Sequence, residues 1–135
     1  MSNDTLRIIL AIVVGAHGIG HVLFLVPSLG LAAWGQSMQS WLLTNAFGDT
    51  LTRLLGAAIW LLGTIGFCAA TFGIFTQAEW WRSLAVISSI ISIVGLVLFW
   101  ANPVTSSSFF AFAFDAAVLV ALLAFHWPST TMIGA

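Results

Sequence analysis

Ile8-Ile9-Leu10-Ala11-Ile12-Val13-Val14-Gly15-Ala16-His17-Gly18-Ile19-Gly20-His21-Val22-Leu23-Phe24-Leu25-Val26-Pro27 is an apolar run near the N-terminus that carries two histidines and three glycines in its middle. With Leu6 and Arg7 before it, the run reaches the ~20 residues that cross ~30 Å of hydrocarbon as a helix, and Pro27 ends it. Three more runs follow, about Leu51–Phe75, Ser83–Ala101 and Phe109–Trp127, the last ended by Pro128. Strict alternation of apolar and polar residues is absent. In lipid, unsatisfied backbone groups leave helices and closed barrels as the only spanning forms, so the runs predict helices.

The composition agrees. Of 135 residues, 61% are hydrophobic and only 5% charged, and lysine is missing altogether. A soluble domain carries about a quarter charged residues, so this chain lacks the polar surface to face water. No basic cluster exists to hold nucleic acid or anionic lipid. The expectation is one integral membrane domain, residues 1–135: an all-α, four-helix transmembrane bundle. The first run is too long for a signal peptide core, and Asp4 beside Arg7 replaces a signal's basic leader. Lone Cys68 excludes an internal disulfide and reads as a packing residue.

Between spans one and two, Trp34, Met38, Trp41 and Leu42 recur at helical spacing with Gln36, Ser37, Gln39 and Ser40 between them. This predicts a short interfacial helix, or a lid over the end of the bundle. Asp49 is expected to cap the second span, with Arg53 one turn on. Glu79 and Arg82 in the second turn read as a solvated pair. Four spans put both termini on one side. Arg7 and Arg82 share that side and Arg53 the other, which favours cytoplasmic termini in the plasma (inner) membrane.

Small residues mark the packing faces: Ala11, Gly15 and Gly18 in run one, Gly56, Gly63 and Ala70 in run two, Ser88, Ser92 and Gly95 in run three. They let helix backbones approach where lipid supplies no hydrophobic drive.

The polar groups inside the spans carry the functional question. His17 and His21, four residues apart, leave one helix face. Measured from the Pro27 end, they lie about 13 Å and about 8 Å deep, and Asp115 in run four lies about 9 Å deep. An ionised Asp in hydrocarbon costs at least ~2.5–3.5 kcal/mol, so it should face inward with a partner. The candidate site is therefore His17, His21 and Asp115, reached by Arg53 from above and walled by Trp60, Trp34 or Trp41.

Five readings compete. The cluster is polar glue between helices, a site for a small amphipathic ligand such as a quinone, a proton or ion path, a metal site, or a haem site. Two ligands on one helix, with no other acid or Cys near, count against the metal. For haem, His17 and His21 cannot reach opposite faces of one iron, and His126 lies roughly 20 Å away in depth; it reads as an interfacial anchor between Phe125 and Trp127. No nucleophile–base pair or phosphate loop appears, so stand-alone catalysis finds no support.

The His17-Gly18-Ile19-Gly20-His21 run, followed by Phe24, resembles the His-Gly-x-x-His first helix of small uncharacterised bacterial four-helix membrane proteins. The span count and chain length are also similar to the DoxX-like group, some of whose members are subunits of quinone-linked oxidoreductases. The His17/His21/Asp115 pocket in so small a bundle leads to the expectation of an accessory or ligand-binding membrane subunit, associated with itself or a larger complex. The alternative is a quinone- or haem-binding component of a membrane oxidoreductase.

Overall fold

The computed structural model describes residues 2–34, 38–100 and 106–133. Its elements are α1 (Asn3–Gly20), α2 (Val22–Ser28), α3 (Leu43–Thr76), α4 (Trp81–Leu98), α5 (Ser106–Leu119) with a π-helical extension (Val120–Ala124), and α6 (Thr130–Ile133). No strand occurs among the described residues. Taken with their extensions, Asn3–Ser28, Leu43–Thr76, Trp81–Leu98 and Ser106–Ala124 are four helices long and apolar enough to cross a membrane. The outside of the bundle is itself apolar: Ile12, Ile65 and Phe110 are 61, 56 and 69% exposed.

The helices stand in the order α1, α3, α4, α5, each packed on the next, with α2 also against α3. The small residues set these contacts. A Cβ on Gly18 would lie 2.7 Å from the Phe67 Cβ, and one on Gly95 would lie 2.6 Å from Ile59 and 2.8 Å from Trp60. Ala11 and Ala70 are fully buried in the cluster that Phe67, Ile74 and Trp81 complete. A second cluster of Phe24, Trp60, Leu96 and Phe99 fills the Pro27 end. The stripes expected to bring helices together do so.

Several sequence expectations are corrected. A short helical lead-in from Leu43 precedes the second span: the Ser40 hydroxyl accepts from the backbone N–H of Leu42 and Leu43, and Thr44 Oγ1 accepts from the Ser40 N–H. A kink at Gly48, whose φ of 78° suits glycine, separates this lead-in from the long helix, so Asp49 stands at the start of that helix, close to the expected Leu51.

The expected interfacial helix does not form among the described residues. Trp34, Met38, Trp41 and Leu42 lie in bends, turns and irregular chain, while Gln36 and Ser37 fall outside those residues. The indole N–H groups of Trp34 and Trp41 donate instead to the carbonyls of Leu23 and Val97, which pins this strap to the bundle.

Ion pairing is sparser than expected. Among the described residues it is limited to Arg7–Asp4, and to His17–Asp115 when the imidazole is protonated. Arg82 leaves Glu79 and donates to the Pro128 carbonyl. The last span stops at Ala124 rather than Trp127, since its closing turn widens to a Phe125 N–H to Val120 carbonyl bond and His126 turns to φ 51°. Beyond it, α6 folds back on α1 with Ile133 fully buried; Asn3 and Gln77 donate to the carbonyls of Thr131 and Ile133.

Gly18→Leu is expected to destabilise the bundle by about 1–3 kcal/mol through overpacking against Phe67. Gly20→Ala, whose new methyl meets nothing within 4 Å, should leave stability unchanged. Thermal unfolding in detergent compares the two.

Candidate functional site

The site starts from a competition for one carbonyl. In a regular helix the backbone N–H of His21 would donate to the carbonyl of His17. Here the His21 ring takes that oxygen instead, Nδ1–H to His17 O at 3.0 Å, and the backbone N–H turns to Gly18 O at 3.2 Å. The helix breaks there, which separates α1 from α2.

Because a carbonyl only accepts, that bond makes Nδ1 the protonated nitrogen of a neutral His21 ring. Its Nε2 lone pair then accepts from the Ser92 hydroxyl on α4 at 2.7 Å. His21 and Ser92 are both buried. Gly63 on α3 makes room for the ring, since a Cβ there would lie 3.0 Å from His21 Cδ2.

His17 faces the other way. Its Nε2 lies 2.9 Å from Asp115 Oδ1, which joins α1 to α5. The Asp115 side chain is wholly enclosed and that of His17 is 11% exposed. The second carboxylate oxygen, Oδ2, is buried and has no partner among the described residues. Phe114 stacks on the His17 ring at 4.1 Å between centroids, Phe67 meets it edge-on at 4.8 Å, and the His21 ring stands perpendicular to it at 4.8 Å. These contacts leave His17 little freedom to rotate.

The structure thus brings together His17, His21 and Asp115, whose ligand atoms lie within 4.8 Å of one another. The pairing is more selective than depth alone implies: Asp115 bonds to His17, while His21 bonds to Ser92. Ser92 is the member that sequence reasoning missed. It sits in a stripe of small residues, where a serine that packs and a serine that bonds look alike.

Arg53 does not join the cluster. Its Nε donates to the Ser28 carbonyl at 3.4 Å and its guanidinium lies against Gly30, so it serves the C-terminal end of α2. Of the three tryptophans, Trp60 walls the site, at 6.2 Å from the His21 ring and stacked on Phe24 at 4.8 Å. Trp34 and Trp41 stay 46 and 62% exposed. His126 is exposed near the far end of the bundle and takes no part.

Between α1 and α5 the bundle opens into a groove of about 450 Å³, lined by His17, His21, Gly20, Phe110 and Phe114 among others. A narrower apolar cavity of about 200 Å³ continues toward the termini, sharing Val13 and Phe114 with the groove. No protein-family model, curated protein or solved structure matches the chain.

Removing the partner of an enclosed carboxylate costs at least about 1–3 kcal/mol, because the acid is left buried alone, whereas apolar replacement of both is far milder. His17→Leu is accordingly expected to lower unfolding stability by about that amount. His17→Leu combined with Asp115→Leu should recover most of the loss. Chemical denaturation of the three variants in detergent measures the cycle.

Proposed function

We propose that the chain is an integral membrane subunit, with cytoplasmic termini, that binds a small amphipathic molecule between its first and last spans. The observation that supports this most is a polar ring in an apolar groove: His17, backed by the enclosed carboxylate of Asp115, reaches a cleft otherwise lined chiefly by apolar side chains and lying between two spans. A site of this kind excludes free water and favours ligands that arrive through lipid.

The chemistry narrows the ligand. With Asp115 holding the proton on His17 Nε2, Nδ1 of a neutral ring is a hydrogen-bond acceptor and makes no such bond among the described residues. A hydroxyl-bearing head, such as that of a quinol, donates to it. Asp115 also stabilises the imidazolium formed if that proton is transferred, and an imidazolium in turn donates to a quinone carbonyl. Phe110 and Phe114 offer ring faces to the head, and the adjoining apolar cavity accepts a tail. The same site supports the alternative of a quinone-linked oxidoreductase component, in line with the DoxX-like resemblance. Association with a second copy or a larger membrane complex belongs to the same proposal.

Mass spectrometry of molecules copurified with the protein tests the reading. An amphipathic compound, quinone or otherwise, is expected at up to one per chain. Gly20→Phe, which places a ring in the open space beside the groove, should reduce it at least about tenfold, the equivalent of 1.4 kcal/mol. Purified chain that carries only bulk phospholipid, in the same amounts with and without Gly20→Phe, contradicts it.

A further inference from the structure

We propose that His17, His21 and Asp115 form a binding site for one divalent transition-metal ion, with a coordination position facing the groove. The inference uses the residues of the site and does not depend on the amphipathic ligand proposed above.

Three independent features point to an ion. The first is spacing. Two histidines at i and i+4 on a helix present their rings from one face, which is how helical zinc sites of the His-x-x-x-His kind hold their metal. Ligands shared by one helix therefore favour the site, against the sequence reading. Asp115 adds a carboxylate from a second helix, and the three ligand atoms already lie within 4.8 Å. Tetrahedral sites with bonds of about 2.0–2.1 Å need them about 3.4 Å apart, and His17 and Asp115 are closer than that at 2.9 Å. Turning the His21 ring from Ser92 toward the pair supplies the remaining closure.

The second feature is the tautomer of His21. A ligating histidine characteristically donates its non-ligating N–H to a backbone carbonyl or carboxylate, which aims its lone pair. His21 carries the matching tautomer, Nδ1–H on the His17 carbonyl and an Nε2 lone pair that now meets Ser92, so ligation needs a turn of the ring but no change of tautomer. His17 ligates through Nε2 as its other neutral tautomer, with the proton moved to Nδ1, so no proton is lost from the ring and Nδ1 becomes a donor toward the groove, a state alternative to the metal-free one that accepts from a hydroxyl.

The third is Asp115 Oδ2, a fully enclosed carboxylate oxygen without a partner. Polar glue alone leaves that atom unexplained, since an unsatisfied buried acceptor costs about 1–3 kcal/mol and more when charged. A cation held by both carboxylate oxygens satisfies it.

Two imidazoles and one carboxylate suit zinc, iron or cobalt rather than magnesium or calcium, which prefer all-oxygen shells. Three protein ligands leave an open position, the pattern of reactive rather than purely structural metal sites. Both histidines line the groove, so that position faces the space between α1 and α5.

The test uses full-length protein in detergent, stripped with a chelator and titrated with Zn²⁺ or Co²⁺ by calorimetry. The visible bands of bound Co²⁺ report nitrogen and oxygen coordination. One ion per chain is expected. His21→Ala and Asp115→Asn should each weaken binding at least about tenfold, the loss typical even of residues that only orient ligands.

Asp115→Asn keeps an oxygen to accept from His17, so it separates ligation from folding. Ser92→Ala, which frees the His21 lone pair, should bind as well as the unaltered chain or better. Zn²⁺ should also raise the melting temperature of the unaltered protein, a reading that needs no variant. No binding to the full chain, or binding unchanged by Asp115→Asn, overturns the proposal. Copurification of an amphipathic molecule is read without added metal, so either idea can fail alone.

Discussion

One enclosed carboxylate governs this molecule. Asp115 has no access to solvent or lipid, and its only hydrogen-bond partner among the described residues is an imidazole from the opposite end of the chain. A charge in such a place must be matched or neutralised. The pair consequently holds α1 to α5 at a point where their backbones stay apart, and the bundle is closed there by side chains. A groove is the geometric consequence. Two helices joined at one level and splayed elsewhere leave a gap, and the joining residue becomes part of its wall.

The rest of the packing serves the same point. Gly18 admits Phe67 so that α1 lies tight on α3, and Phe67 in turn meets both histidine rings. Gly63 gives His21 space, and Gly95 admits Trp60, which closes the Pro27 side. The break at His21 is part of the same design. By giving the His17 carbonyl to a side chain, the helix fixes a tautomer at the cost of one regular backbone bond. Helix irregularities of this type are common where a chain places a reactive group.

The number and approximate extent of the long helices were legible because runs of ~20 apolar residues have one structural meaning in a chain with so few charges. That Asp115 meets the histidines was legible from depth, since rise per residue puts it between their two levels, but depth alone favours His21 and the bond is to His17. The glycine and serine stripes located helix contacts. Other features had no local signature. Ser92 has the same small-residue appearance whether it packs or bonds. Arg53 gave no hint that it would turn to the Ser28 carbonyl and away from the cluster. The strap after Pro27 has helical spacing, yet its two indoles find carbonyl partners on the bundle, and those bonds outweigh an amphipathic pattern of a few turns. Helix α6 spans only Thr130–Ile133, too short for periodicity to show.

The central claim concerns two rings with different duties: His17 tied to Asp115 through Nε2, and His21 held as the Nδ1–H tautomer between a carbonyl and Ser92. Nitrogen-15 NMR of histidine-labelled protein reads protonation and hydrogen bonding at each ring nitrogen. The account predicts that Asp115→Asn displaces the Nε2 resonance of His17 strongly and that of His21 only slightly, with His21 showing the Nδ1-protonated pattern throughout. A His17 signal that ignores Asp115→Asn, or a His21 ring protonated at Nε2, would contradict it.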